Sequence, residues 1–259
     1  MVTIKKPAEV KVLRQGGRLL AEILDQVLAH AKVGVKTIEL DRLAEDLIVK
    51  KGGTPAFKNY QGRGEEKPFP TTICASVNHQ LVHTPAGDYQ LKAGDILTVD
   101  IGMKYPAKDP GYYTDMAKTI PIGKISPLAR KLLKVTQKSL ELGIKQVKSG
   151  NHISDISRAV QTYVEAQGFS VVRQLVGHGV GYQVHEEPRV PNYIDKNQKD
   201  LELKAGMVLA IEPMVNVGDA AVRSLADGWT VVTADGKLCA HFEHTVAVTK
   251  NGTEILTKS

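Results

Sequence analysis

The chain contains two copies of one short pattern, and their spacing limits the folds that are open to it. Lys92-Ala93-Gly94 and Lys204-Ala205-Gly206 each precede an apolar stretch typical of a β-strand. The ninth residue of each copy is a carboxylate, Asp100 in the first and Glu212 in the second. The copies lie 112 positions apart (212 minus 100), too far for a solenoid repeat of about 20–50 residues. We therefore predict two halves of one domain, related by approximate symmetry, that each contribute an acidic strand to a shared centre.

Each half is predicted to contain two helices followed by strands. Apolar residues at helical spacing predict a helix over 7–31, and Thr37 is typical of the N-cap of a second helix. Ser126-Pro127 predicts the start of a helix that reaches about residue 150, and another is expected over about 154–167. This order is α+β rather than alternating βαβ units. Strands are expected near 72–77, 95–102, 112–120, 170–176, 207–217, 228–233 and 239–248.

Length and composition indicate an ordinary globular chain. It has 259 residues, of which 42% are hydrophobic and 24% charged, and no linker-like segment divides it, so a single catalytic domain over 1–259 is expected. No apolar stretch resembles a signal peptide or a membrane span, which predicts a cytoplasmic protein, by default a monomer. Cys74 and Cys239 are too few for a disulfide framework or a zinc–thiolate site and are expected to be free thiols.

The net charge of +6 is partly local. Basic residues cluster at Lys5-Lys6, at Lys50-Lys51 and at Arg130, Lys131, Lys134 and Lys138. A solvated face is the favoured interpretation; the alternative is a weak electrostatic association with nucleic acid such as the ribosome. Because no basic motif is interleaved with aromatic residues, sequence-specific nucleic-acid recognition is not expected.

Four acids and one histidine predict a metal site. Asp100, Glu212 and Glu243 lie in apolar strand-like runs, where a lone acid is anomalous, and Asp115 and His178 have similar surroundings. Carboxylates and imidazole suit divalent Mn, Fe, Co or Zn. They exceed the needs of one ion, and bridging carboxylates would hold two ions about 3.5–4 Å apart for metal-assisted hydrolysis. Separate salt bridges are the alternative, but each buried unpaired charge would cost several kcal/mol.

Six blocks in chain order carry a family resemblance. They read CASVNHQLVHTP, TVDIG, TDMAKT, GHGVGYQVHEEP, AIEPM and FEHT. Together they resemble the type I methionine aminopeptidases, and the match covers essentially the whole chain. The resemblance implies the pita-bread fold, in which two pseudo-symmetric halves surround a central curved antiparallel sheet with helices on the outer face.

The resemblance also implies roles for individual residues. It implies five metal ligands for two divalent ions, with Asp115 and Glu243 bridging; the five are Asp100, Asp115, His178, Glu212 and Glu243. Of the two loop histidines, His83 would assist the leaving amine and His185 would hydrogen-bond the substrate carbonyl, while Glu212 would also act as general base. The pocket for the substrate methionine would be lined by Phe57, Tyr60, Phe69, Cys74 and Trp229.

The chain departs from the family pattern in four places. Thr84 replaces the usual glycine, and Val184 replaces an aromatic residue, which predicts a wider pocket on that side. The loop at 61–67 is longer than in compact bacterial members. The 15-residue gap between the two aspartates (115 minus 100) predicts an extended turn over 104–111.

The implied function is removal of the initiator methionine from nascent polypeptide N-termini, with a preference for a small second residue. Two alternatives remain open: a prolidase or aminopeptidase P-like hydrolase of the same fold, and a catalytically inactive, ribosome-associated binding protein. The CASVN block before His83 favours the methionine enzyme over the first, and the complete set of five ligands argues against the second.

Overall fold

The order of elements confirms the prediction of two helices followed by strands in each half. The computed structural model describes residues 2–62 and 67–259, so positions 63–66 of the predicted 61–67 loop lie outside the described residues. The helices are α1 (Pro7–His30), α2 (Thr37–Lys50), α3 (Pro127–Ile144) and α4 (Ile153–Ala166). The strands of the first half are β1 (Thr54–Pro55), β2 (Ile73–Val77), β3 (Gln80–Val82), β4 (Ile96–Tyr105) and β5 (Tyr112–Pro121). Those of the second half are β6 (Ser170–Val171), β7 (Gly177–Gly179), β8 (Glu186–Val190), β9 (Val208–Ile211), β10 (Met214–Asn216), β11 (Val222–Ser224), β12 (Val231–Thr233), β13 (Cys239–His241), β14 (His244–Thr249) and β15 (Gly252–Ile255).

The helix starts follow capping chemistry, with one correction. Ser126 caps α3 as predicted, because its Oγ accepts a hydrogen bond from the Ala129 N–H at 3.1 Å. The prediction of Thr37 as the N-cap of α2 is wrong by one residue, since Lys36 is the cap. The Thr37 hydroxyl instead bonds both backbone groups of Gly87, at 2.9 and 3.0 Å.

Helix α3 ends at Ile144 rather than near residue 150. After Gly143 the backbone bonds tighten to three-residue spacing, as Gln146 N–H donates to the Gly143 carbonyl at 2.9 Å and Val147 N–H to that of Ile144 at 3.0 Å. The Thr253 hydroxyl of β15 also donates to the Ile144 carbonyl at 3.0 Å. A side chain distant in sequence therefore satisfies the last turn, which local pattern does not reveal.

The acidic strand of the first half lies inside an unbroken ladder. Strand β4 pairs with β5 along all ten of its residues and with β2 and β1 on its other side. Asp100 lies opposite Cys74 on β2 and Ala117 on β5, and Asp115 lies opposite Gly102. Because β4 continues to Tyr105, the turn between the strands is shorter than the predicted 104–111 segment.

The strands of the second half are shorter and interrupted. Strands β15, β14, β9, β7 and β8 form one sheet in that order, and β13-β10-β6 and β11-β12-β3 form two more; every ladder between the described strands is antiparallel. The predicted strand over 207–217 is broken at Glu212-Pro213, since proline has no N–H for a ladder. The predicted strand over 239–248 is broken at Phe242 and Glu243, and the predicted 170–176 strand is reduced to its first two residues.

The duplicated pattern forms the same turn twice. Gly94 and Gly206 have φ of +102° and +93°, a region that glycine enters without Cβ strain. Gly94 N–H donates to the Ile122 carbonyl and Gly206 N–H to the Val248 carbonyl, both at 2.9 Å. Equivalent turns therefore precede β4 and β9, as pseudo-symmetry predicts.

The apolar core is likewise divided between the halves. One cluster joins α1 and α2 to β2 and β4, with Leu24 and Ile101 fully buried, and another joins α3 and α4 to β9 and β14, with Leu132 and Ile156 fully buried. Across residues 2–62 and 67–259, no helix is long and apolar enough to span a bilayer. Of the four acids, Asp100 and Asp115 lie on β4 and β5, and Glu212 and Glu243 lie in the breaks after β9 and β13.

Candidate metal centre

All twelve site residues predicted from the sequence line one cavity. Its volume is about 80 Å³, and it adjoins an open groove of about 840 Å³ that shares five of its residues. The lining residues are Phe57, Tyr60, Phe69, Cys74, His83, Asp100, Asp115, His178, His185, Glu212, Trp229 and Glu243. The structure thus brings together segments that lie far apart in the sequence.

The first half contributes two carboxylates from the β4–β5 hairpin. Asp115 is buried, and its Oδ1 accepts a hydrogen bond from the Thr245 hydroxyl of the second half at 2.9 Å. Thr245 Oγ1 also accepts from the Asp115 N–H at 3.1 Å. Asp100 is buried too, with an Oδ1 that has no hydrogen-bond partner. A buried carboxylate oxygen without a donor leaves coordination capacity for a cation.

The histidine is oriented by its own backbone. His178 lies on β7, and the Gly179 carbonyl accepts a hydrogen bond from Nδ1 at 2.8 Å, which leaves the Nε2 lone pair for the cavity. Nε2 lies 3.6 Å from Asp115 Oδ2 and 3.6 Å from Glu212 Oε1. The flanking Gly177 is required because a Cβ there would lie 2.4 Å from the Ala210 carbonyl oxygen.

The second half contributes two carboxylates at its strand breaks. Glu212 follows β9, and its carbonyl accepts a hydrogen bond from the buried Asn192 amide at 2.9 Å. Glu243 lies between β13 and β14, where its N–H donates to the Ala117 carbonyl of β5 at 2.9 Å. One ligand atom each of Asp115, His178 and Glu243 lie within 4.8 Å of one another.

The electrostatics of the cluster fit a divalent cation. Burial raises the pKa of all four carboxyl groups, to about 7 for Asp100 and about 8 for Glu212. Neighbouring carboxylates raise the pKa further for every member except Asp115. Over the described part of the chain, no lysine or arginine forms an ion pair with these acids. A multivalent cation would therefore supply the charge compensation that the protein itself does not provide.

The two loop histidines lie on the cavity wall as neutral groups. His83 has a left-handed backbone, with φ of +57°, and burial lowers its pKa to about 4. Removal from water also lowers the pKa of His185 to about 3, with a contribution from His178. The His185 Nδ1 is hydrogen-bonded to the Tyr60 hydroxyl at 2.8 Å. Near neutral pH each ring can therefore donate a hydrogen bond without carrying charge.

The remaining wall is aromatic and apolar. Phe69 and Trp229 meet edge to face with ring centroids 5.1 Å apart. Phe57 lies over Gly102, where a Cβ would be 2.6 Å from its ring. Cys74 is buried on the β2 side of the cavity. Such a wall suits a thioether side chain.

The two substituted family positions lie beside the cavity. Thr84 is buried and its hydroxyl has no hydrogen-bond partner. Val184 is also buried and lines an adjoining depression of about 390 Å³ that includes Tyr60 and Tyr182. The predicted widening of the methionine pocket at Val184 stays a prediction.

Sequence reasoning missed one histidine of the site. His241 on β13 is buried, its Nε2 lies 3.4 Å from Glu212 Oε2, and neither ring nitrogen has a hydrogen-bond partner. The signal was present, because His241 stands two residues before Glu243 in an apolar segment. Asn192 and Thr245 were also missed; Thr245 closes the FEHT block that contains Glu243, whereas no local pattern connects Asn192 to the site.

A buried carboxylate and imidazole cluster that opens on a small apolar cavity defines the class of metal-dependent hydrolases. The chain belongs to metallopeptidase family M24, whose model matches residues 11–250. Members of this family bind divalent metal, as the donor set suggests. The structure of prolidase from Pyrococcus horikoshii shares the fold, with a TM-score of 0.76 at 22% identity over 99% of this chain and 63% of that one.

The most extensive similarities are to methionine aminopeptidases. Methionine aminopeptidase 1 of Bacillus subtilis is 50% identical over 100% of both chains, and the Escherichia coli K12 enzyme is 42% identical over 99% of this chain and 94% of its own. The crystal structure of methionine aminopeptidase from Thermotoga maritima has a TM-score of 0.92 and 40% identity over the full length of both chains. The family resemblance and the pita-bread fold predicted from the sequence are confirmed.

Proposed function

We propose that this chain hydrolyses the peptide bond that follows an N-terminal methionine, and that it prefers a small second residue. The observation that carries the proposal is that the candidate metal ligands and the aromatic wall line the same cavity of about 80 Å³. A cavity of this size takes one side chain, which favours an exopeptidase. Relatives named methionine aminopeptidases, at 42–50% identity over nearly the whole chain, support the same function.

Two divalent ions, drawn from Mn, Fe, Co and Zn, are part of the proposal. Asp115 and Glu243 would bridge them, and Asp100, His178 and Glu212 would complete the ligand set. When bound, such ions polarise a substrate carbonyl and lower the pKa of water. The raised carboxyl pKa values and the unpartnered Asp100 Oδ1 support a site built for more than one positive charge.

The chain's own residues then perform the proton transfers. Glu212 accepts a proton from the attacking water, in the role of general base, and this proton passes to the leaving amine as the peptide C–N bond breaks. His185 donates a hydrogen bond to the substrate carbonyl as negative charge develops there. His83, on the same cavity, assists the leaving amine. The positions of all three on one cavity support these roles.

The setting of the enzyme is also proposed. Residues 1–259 act as a single catalytic domain and as a monomer, in the cytoplasm, on the N-termini of nascent polypeptides. Two buried cysteines without a disulfide suit a reducing compartment. The exposed basic residues of α3, Arg130, Lys131 and Lys134, would add at most a weak attraction to ribosomal nucleic acid.

The test uses metal-stripped protein reloaded separately with Mn²⁺, Fe²⁺, Co²⁺ or Zn²⁺. Release of the first residue is measured on Met-Ala-Ser, Met-Leu-Ser and Ala-Pro. The expected result is metal-dependent release of methionine, faster from Met-Ala-Ser than from Met-Leu-Ser. Glu212→Gln removes it, whereas Glu254→Gln, a carboxylate of β15 outside the cavity, retains it.

Other outcomes separate the alternatives. Cleavage of Ala-Pro with Met-Ala-Ser untouched would replace the proposal with a prolidase-like activity. Metal binding without cleavage of any peptide would favour a binding protein on this scaffold, and would direct attention to Thr84 and Val184.

A further inference from the structure

A buried ion pair adjoins the cavity and has no part in the function proposed so far. Lys5 Nζ lies 2.7 Å from Glu186 Oε2, and the side chains are only 1% and 6% exposed. Burial lowers the pKa of Lys5, while its pairing with Glu186 opposes that shift. Because burying two charges is costly even when they are paired, the pair is best explained by what it holds in place.

The Glu186 carboxylate links two segments that are remote in sequence. Its Oε2 accepts hydrogen bonds from Lys5 Nζ and from the Thr3 hydroxyl, at 2.7 and 2.5 Å. Its Oε1 accepts from the backbone N–H groups of Tyr182 and Gln183, at 2.5 and 2.9 Å. One oxygen thus binds residues 3–6, which we call the N-terminal strap, and the other binds the turn over 180–185.

The strap is itself firmly attached to the fold. Lys5 N–H donates to the Gly206 carbonyl at 2.8 Å, in the second of the two duplicated turns. The aliphatic part of Lys5 packs on Gly181, where a Cβ would lie 2.5 Å from Lys5 Cε. Tyr182 completes the attachment, because its hydroxyl donates to Glu9 Oε2 on α1 at 2.7 Å and its ring lies under Lys5 Nζ at 5.0 Å.

The clamped turn ends in a residue of the proposed reaction. His185 immediately precedes Glu186, and its ring lies edge to face with that of His178, with centroids 4.6 Å apart. The ring also contacts Tyr60, by a hydrogen bond and edge to face with centroids 5.2 Å apart. The backbone that carries the ring is the one that Glu186 holds. A carboxylate with four donors on it is a rigid anchor for that backbone.

We propose that Glu186 is a positioning residue, held by Lys5 and Thr3, that fixes the 180–185 turn and thereby aims His185 into the cavity. The strap is then a working part of the active site, although only Thr3 of it reaches the groove. This inference rests on the proposed function for the role of His185, but the placement of the ring is testable without catalysis.

The experiment compares the wild type with Glu186→Gln and with Glu254→Gln. The control breaks the Arg14–Glu254 pair, which also joins the N-terminal region to a distant strand but lies outside both cavities. Steady-state rates are measured on Met-Ala-Ser. The ¹⁵N signals of the imidazole side chains are recorded on metal-free protein, with the His185 signal assigned from His185→Asn.

The expected result for Glu186→Gln is a fall in kcat of about 10- to 100-fold, the scale of a small misplacement of a reacting group, with a smaller change in KM. The His185 signal broadens or splits. Thr3→Val, which keeps the ion pair, gives an intermediate loss. Glu254→Gln changes neither kcat nor the His185 signal.

A double variant guards against simple unfolding. Glu186→Gln leaves Lys5 buried without a partner, so Lys5→Met with Glu186→Gln removes both charges together. If this double variant folds and keeps the wild-type kcat and a single sharp His185 signal, the proposal is overturned. If the wild type releases no methionine, the proposed function fails, and the imidazole signals still decide whether Glu186 positions His185.

Discussion

The two halves of the molecule begin with the same turn but present their acids differently. In the first half, β4 and β5 pair without interruption, and Asp100 and Asp115 lie inside the ladder. In the second half, β9 ends at Ile211, and Glu212 and Glu243 lie where strands break. The ladder fixes the backbone of the first pair, and the Thr245 hydroxyl adds a hydrogen bond to the Asp115 carboxylate. The second pair lies outside the ladders and is placed by contacts with Asn192 and Ala117.

From this difference we expect the acids of the two halves to have different roles in the proposed site. In the continuous ladder Asp100 is paired on both sides, with Cys74 and Ala117, and Asp115 is paired on one side, with Gly102, which suits fixed ligands. Glu212, which follows the end of β9, lines both the small cavity and the groove, which suits it as ligand and base. The asymmetry therefore predicts that equivalent substitutions in the two halves affect different properties, metal binding in the first half and kcat in the second.

The largest effect is expected where the halves should behave alike. Asp115→Asn and Glu243→Gln each remove a proposed bridging carboxylate, so both should reduce methionine release to background and lower the metal content after dialysis, measured by plasma mass spectrometry. Asp109→Asn, an exposed acid on the turn of the same hairpin, serves as the control and should retain both. Normal metal content in either bridging variant would contradict the shared centre.

Substitutions of Asp100 and Glu212, the ninth residues of the duplicated pattern, should show the largest difference between the halves. Glu212→Gln should lower kcat by about 100- to 10,000-fold, the range for loss of a general base. Asp100→Asn should act mainly on metal binding, reducing the stoichiometry from two ions to one in a calorimetric titration. If Glu212→Gln and Asp100→Asn lower kcat equally at saturating metal, the proposed difference in role between the two acids is wrong.

Substitution of the turn glycines, Gly94 and Gly206, tests whether the two duplicated turns are energetically equivalent. Gly94→Ala should cost about 1–2 kcal/mol of unfolding free energy, since alanine is strained at positive φ, and should leave activity unchanged. Gly206→Ala should cost about 1–3 kcal/mol more, because its Cβ would lie 2.7 Å from Ile4 and 2.8 Å from the Lys5 carbonyl. It should also lower kcat through the strap. Urea denaturation measures the change in unfolding free energy of both variants, and a kinetic assay measures their kcat.

One threonine joins the halves at the site. Thr245→Val deprives the Asp115 N–H and carboxylate of their partner, which should cost about 1–3 kcal/mol in urea denaturation. It should also weaken metal binding by about 10- to 100-fold, as for other groups that orient a ligand. Thr245→Ser keeps the hydroxyl and should recover most of both losses; failure of this rescue would show that packing, not the hydrogen bond, is responsible.

The smallest effect is expected at a surface link between the halves. The Arg14 guanidinium on α1 holds the pKa of Glu254 on β15 below its ordinary value of 4.5. The resulting stabilisation is present above that value and is lost as pH falls through the lower folded-state pKa. Because both side chains are partly exposed, Glu254→Gln should cost no more than about 1 kcal/mol at pH 7, and the cost should shrink as the pH is lowered below 4.5, as measured by thermal unfolding at a series of pH values.

The acids and His178 could be predicted because charge in an apolar strand is itself a signal. Asp100 and Glu243 are conspicuous on that ground, and the helix starts follow from capping chemistry. The interruption at Glu212-Pro213 was missed, because a single strand was predicted over 207–217 although Pro213 has no N–H for a ladder. The resemblance carried by the six sequence blocks added the pita-bread fold, which the comparisons confirm, while the roles of the site residues stay predictions.

The supporting residues could not be predicted, because their roles depend on neighbours distant in sequence. Thr245 lies in a strand-like segment, and its role becomes apparent only from its hydrogen bond to Asp115. Lys5 belongs to a basic pair that sequence alone assigns to a solvated face, yet it is buried against Glu186. The end of α3 is set by Thr253, more than one hundred positions later.

The contact between Glu243 and Ala117 has a consequence for how the protein is made. During synthesis the first half leaves the ribosome well before Glu243 and Thr245 are added, so Asp100 and Asp115 emerge without their counterparts. The first half can bury its own helices early, but the ligand set is assembled only when the β13–β14 segment docks on β5. The proposed ligand set is therefore complete only in chains whose translation is almost finished.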